Sequence, residues 1–125
     1  MVFSRLALVL TLTLAVVPTG ARAGCQDEIS RLMSRDTEKM LSRYYGIARR
    51  IEREGVSPGL RAEECRIAKL LEPQLAGEVA ALKQSRCRRD PSVSSMITDL
   101  VRGREDDLAA MRKTTSQPEC LSAAR

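Results

Sequence analysis

The stretch SPGLRAEECRIAKLLEPQLAGEVAALKQSRC, residues 57–87, decides the fold. Ser57 offers an N-cap hydroxyl, and Pro58 suits the first helical position, where its missing N–H has no partner to lose. Cys65, Ala68, Leu71, Leu75, Val79 and Leu82 then recur at steps of three and four, the apolar stripe of a helix predicted over 58–86. Pro73 removes one backbone donor and crowds the preceding turn, and Gly77 softens the same region, so a kink or break is expected near Leu71 and Glu72. Cys65 and Cys87 lie roughly 33 Å apart along such a helix, somewhat less if it bends at Pro73. They are too distant to bond to each other.

Working outward, an N-terminal segment carries Ile29, Met33, Thr37, Met40, Tyr44, Ile47 and Ile51 in helical phase, which predicts one helix over 26–54 closed by Gly55. On the other side Asp90-Pro91 repeats the cap-then-proline pattern. Val93, Met96, Ile97, Leu100, Val101, Leu108 and Met111 predict a third helix over 91–115, with 116–125 as a frayed tail. There is no strand pattern, low-complexity linker or internal repeat. The fold class expected is all-α, an up-down-up three-helix bundle whose second helix is kinked near Pro73.

That arrangement selects a disulfide pairing. In an antiparallel hairpin Cys25, at the start of helix one, and Cys65, about two turns into helix two, stand roughly 30 Å apart. The remaining pairing joins Cys25 to Cys87 and Cys65 to Cys120, each closing a loop of more than fifty residues. The chain-entropy argument assigns on the order of 4 kcal/mol to each bond.

Four cysteines in bonds imply an oxidising compartment, and the N-terminus agrees. Arg5, an apolar run from Leu6 to Val17, and Ala21-Arg22-Ala23 form the three parts of a signal peptide over 1–23. The run is too short for the roughly 20 residues of a membrane span, so no transmembrane segment is expected after cleavage. Cys25 lies near the cut, but Arg22 stands where a lipoprotein signal wants a small or apolar residue. Removing 23 of 125 residues leaves 102, one domain at 24–125. Its charge is 19 basic against 16 acidic residues, a net +3.

Composition excludes several functions. The mature chain has no His, Trp or Phe, and its aromatics are the neighbours Tyr44 and Tyr45. The commonest general base and metal ligand is therefore missing, as are the aromatic faces that sugar or base recognition uses. No run of five like charges suggests a nucleic-acid arm. The cysteine spacings of 40, 22 and 33 residues contain no redox Cys-x-x-Cys pair and no zinc cluster. Met33, Met40, Met96 and Met111 would suit Cu(I) as thioethers, but helical spacing reads them as core. Glu105-Asp106-Asp107 with Asp99 lacks the Gly and alternating ligands of a calcium loop and reads as a solvated face beside Arg102 and Arg104. Glu63 and Glu64 suit the positive end of the second helix. Neither catalytic residues nor a cofactor is expected, and the chain is not expected to be an enzyme.

Two basic spots stand out: Arg49 and Arg50 with Arg53, and Arg86 with Arg88 and Arg89. Both fall at predicted helix ends, where cations complement the macrodipole. Arg49, Arg50 and Arg53 form the candidate interaction face. The expected function is a periplasmic or secreted binding or scaffold module whose partner is another envelope protein. The alternative is a small carrier or sensor of a hydrophobic ligand or soft metal, held at a Met/Leu-lined helix interface.

The run Glu63-Glu64-Cys65-Arg66-Ile67-Ala68-Lys69-Leu70-Leu71, then Cys87, Pro91-Ser92-Val93, Leu100 and Cys120, resembles a group of small exported four-cysteine helical proteins of alphaproteobacteria such as the rhizobia. The resemblance covers nearly the whole mature chain and rests mainly on the cysteine pattern. It implies a periplasmic address and supplies no catalytic residues.

Overall fold

The computed structural model describes residues 19–122, with side chains from Gly24 to Ser122. The leader features at Arg5 and Leu6 to Val17, and the last three residues, lie outside this range. The described chain is all-helical: α1 Thr19–Leu32, α2 Arg35–Glu54, α3 Pro58–Gln84, a 3-10 turn Arg86–Arg89, α4 Ser94–Thr115 and α5 Pro118–Ser122. α3 is the axis, packing against every other element.

The segment expected as one helix over 26–54 is two helices. Ser34 turns extended, with φ −66° and ψ 133°, although the apolar phase runs through it unbroken. The reason is tertiary: the Ser34 backbone N–H donates to Glu78 Oε1 of α3 at 3.2 Å. Asp36 and Glu38 then occupy the first turn of α2, where carboxylates suit the positive end of the helix dipole. Gly55, at φ 85°, closes α2 by donating its N–H to the Ile51 carbonyl.

α3 begins as its sequence suggests, with the Leu60 N–H donated to Ser57 Oγ at 3.2 Å. It runs helically through Pro73 without a break. The ring sits on an exposed position, and the carbonyl it leaves without an N–H belongs to exposed Lys69, so water can satisfy it. The helix ends at Gln84, with the 3-10 turn following, and α4 starts at Ser94 where the sequence suggested 91. Within the expected tail Pro118 to Ser122 is helical, and Cys120 is fully buried.

Two apolar clusters hold the helices. Leu41, Tyr44 and Ile47 of α2 meet Ile67, Leu71 and Leu75 of α3, with Leu108 and Met111 of α4, in the larger one. Ile29, Cys87, Val93 and Ile97 form the smaller. Leu71, Leu75 and Leu82 are each fully buried, contributing roughly 1.5–3 kcal/mol apiece relative to an exposed side chain.

Candidate functional site

The site is built at the end of α3, where the chain must leave the helix and reach α4 in a few residues. Ser85 turns extended and its Oγ accepts the Cys87 N–H at 3.1 Å. The Arg88 N–H donates to the Ser85 carbonyl and the Asp90 N–H to that of Cys87. Asp90 Oδ1 accepts from both the N–H and the hydroxyl of Ser92, at 2.9 and 2.7 Å, the turn geometry for which Asp before Pro is suited. The turn is thereby fixed from both sides.

It is also fixed from beneath. Cys87, 3% exposed, points into the smaller core cluster and is bonded to Cys25 of α1, with Cα atoms 5.6 Å apart. The second bond joins Cys65 of α3 to Cys120 of α5 across 5.3 Å. No cysteine is free among the described residues. With Cys87 turned inward, Arg86, Arg88 and Arg89 are turned outward and exposed. Together with Lys83, Gln84 and Ser85 they line a cleft of about 570 Å³.

This lining contains four cations and no carboxylate. Arg88 donates from Nη1 to the Lys83 carbonyl at 2.7 Å, capping the negative end of α3. Lys83 pairs with Glu105 of α4 at 2.6 Å. Arg86 and Arg89 have neither a carboxylate within ion-pairing distance nor a carbonyl acceptor among the described residues. The helix-end reading of this triplet accounts for Arg88 alone.

Arg49, Arg50 and Arg53 are exposed on the last turns of α2, and Arg50 is tied to Glu54 at 2.9 Å. They stand near the start of α3, whereas the basic turn follows its end. A helix of 27 residues is about 40 Å long, so the structure does not bring the two basic groups together.

Several other charged groups pair with one another within the bundle. Arg104, expected on a solvated face, is 5% exposed between α2, α3 and α4. It hydrogen-bonds Glu38, and its Nε lies 2.9 Å from Glu78 Oε2 in an ion pair whose N–H direction makes no hydrogen bond. Asp107 is 3.5 Å away and also accepts from the Tyr45 hydroxyl at 2.6 Å. Burial pulls the Arg104 pKa down, but the Glu38 hydrogen bond and the charges of Glu38, Glu78 and Asp107 outweigh it, so the guanidinium is held above its ordinary value. Burial, then the hydrogen bond to Asp107, raises Tyr45, and burial raises Tyr44 despite its 2.5 Å bond with Thr114. Glu63 pairs with Arg43 and Glu64 with Arg61.

Glu28 Oε2 rests 2.9 Å from Cys87 Sγ, and Cys25, Glu28 and Cys87 bring ligand atoms within 4.8 Å of one another. Sulfurs bonded to each other offer no thiolate, the form that binds metal. The methionines are not gathered: Met111 is in the larger cluster, Met40 borders it, Met33 borders the smaller one, and Met96 is 41% exposed. No helix among the described residues is long and apolar enough to cross a membrane. No protein-family model, curated protein or solved structure matches the chain.

Proposed function

We propose that this protein is an exported, disulfide-braced helical binding module that holds an anionic envelope partner at the cleft formed by Lys83, Arg86, Arg88 and Arg89. The observation that carries the reading is the pair Arg86 and Arg89, which face one cleft with no carboxylate in ion-pairing distance among the described residues. Like charges gathered on one surface repel, and an anion relieves that cost. A turn held by the Cys25–Cys87 bond loses little freedom on binding. Arg49 and Arg53 remain a secondary surface, since Arg50 already has its partner.

The frame fits an up-down-up arrangement of α2, α3 and α4. Contacts pair Ser34 with Glu78 and Arg43 with Glu63, then Lys83 with Glu105 and Arg112 with Glu72, each series descending along one helix as it ascends the other. A bend at Pro73 belongs to the same proposal. So do the periplasmic address and kinship with the four-cysteine alphaproteobacterial group, which rest on the leader and the cysteine pattern.

The test immobilises the protein, Arg86→Gln/Arg89→Gln and Arg49→Gln/Arg53→Gln, and exposes each to an extract of its own cell envelope. The expected result is one anionic component retained by the first and third and lost by the second. Equal retention by all three refutes the assignment to the cleft.

A further inference from the structure

We infer that the cleft recognises a phosphate-bearing anion, one whose phosphate groups enter between Arg86, Arg88 and Arg89. This rests on the reading of the cleft as the binding site and specifies the chemistry it takes. Three features of the lining lead there.

The first is the kind of cation. Three of the four are arginines, whose planar guanidinium presents parallel N–H donors that match two oxygens of a phosphate at once. Arg88 is already oriented by its bond to the Lys83 carbonyl, so its remaining donors are held at the wall. The second is charge. Lys83 is balanced by Glu105, which leaves the charge of three guanidiniums, the complement of a dianion or trianion. Carboxylates of a protein partner would have to bring that charge on several separate side chains, whereas a phosphomonoester or diphosphate carries it in one compact group.

The third is size and polarity. A cleft of about 570 Å³ lies within the roughly 300–1,000 Å³ typical of small-ligand sites. No aromatic residue lines it, so it offers no stacking surface for a base or sugar ring. Gln84 and Ser85 are its neutral polar members. The recognised part is the phosphate itself, whether free in solution or at the head of an anionic lipid.

The experiment titrates the oxidised protein with inorganic pyrophosphate and with tricarballylate, a tricarboxylate of comparable charge. In parallel it measures sedimentation with phosphatidylcholine vesicles, with and without phosphatidic acid. Each is repeated for Arg86→Gln/Arg89→Gln and for Arg49→Gln/Arg53→Gln, which removes the same charge at the far end of α3. We expect pyrophosphate or the phosphatidic acid vesicles to bind and tricarballylate to bind at least tenfold more weakly. The first double variant should lose at least about tenfold in affinity, as expected for two charge-assisted contacts, and the second should stay within twofold. Binding of pyrophosphate alone identifies a soluble phosphate, and binding of vesicles alone a lipid headgroup; either supports the inference. Equal affinity for tricarballylate, equal loss in both double variants, or no binding to either phosphate probe overturns it. If the envelope component is still captured through Arg86 and Arg89 in that event, the binding-module reading stands and only the phosphate chemistry fails. Both arginines are exposed, so unchanged melting of each variant shows that affinity, and not folding, was altered.

Discussion

Replacing Cys65 and Cys120 together by alanine tests what holds this domain together. The bond joins residues 55 apart in sequence. Loop-closure entropy removed from the unfolded chain is roughly 14 cal/mol/K for that separation, or about 4 kcal/mol at 25 °C. Both cysteines are buried, Cys65 at 2% and Cys120 at 0% exposure, so truncation also leaves a small cavity whose cost adds to the entropic one. α5 has five residues, too few to persist alone. Without the bond it is retained by the Lys69 Nζ contact to the Cys120 carbonyl and by the burial of residue 120. Thermal and urea unfolding followed by circular dichroism should show a loss of at least about 4 kcal/mol. For a domain near 100 residues this corresponds to roughly 15–30 °C in Tm. The urea m-value should rise, because the unfolded chain without the cross-link exposes more surface. A drop of less than about 5 °C with an unchanged m-value would refute the argument that covalent closure, and not the core alone, sustains the fold.

Two further outcomes follow from the buried polar groups. Arg104→Met leaves Glu78, 8% exposed, without its cation and should cost roughly 3–5 kcal/mol in urea unfolding; a loss below about 1 kcal/mol would show that the buried ion pair does not hold the three helices together there. Tyr44 and Tyr45 have folded pKa values raised above 10, so the stability they contribute is complete below pH 10 and falls as pH rises above it, because the unfolded chain ionises first. The slope is at most about 1.4 kcal/mol per pH unit for each group, less for half-buried Tyr45, which water screens. Melting followed from pH 8 to 11 should decline above pH 10, more shallowly in Tyr45→Phe, and a flat profile would contradict the burial argument.

Much of the architecture was legible along the chain because it depends on neighbours in sequence. The Ser57-Pro58 cap, the stripe from Cys65 to Leu82 and the closing Gly55 all report helix geometry directly. The break at Ser34 was not legible, since Ile29, Met33, Thr37 and Met40 keep helical phase across it. Its cause is Glu78, 44 positions away, which takes the Ser34 N–H. Arg104 misled for a similar reason: among Arg102, Glu105 and Asp106 it reads as surface, and only the approach of Glu38 and Glu78 from two other helices makes its burial tolerable. Pro73 is a different case, since α3 stays helical through it. Its side of α3 faces solvent, while the core contacts on the opposite face hold the helix together.

The basic turn divides along the same line. Sequence alone determined that three arginines surround a cysteine at 86–89, because composition and spacing need no fold. Tertiary structure decided what each one meets. Cys87 is drawn into the core beside Ile29, Val93 and Ile97, which leaves the other side chains of the 3-10 turn outward, and Arg88 meets the Lys83 carbonyl while Arg86 and Arg89 meet none among the described residues. Local periodicity records which residues can form a helix, since that depends on positions three and four apart. Which charges find a partner depends on residues dozens of positions apart, and packing alone brings those together.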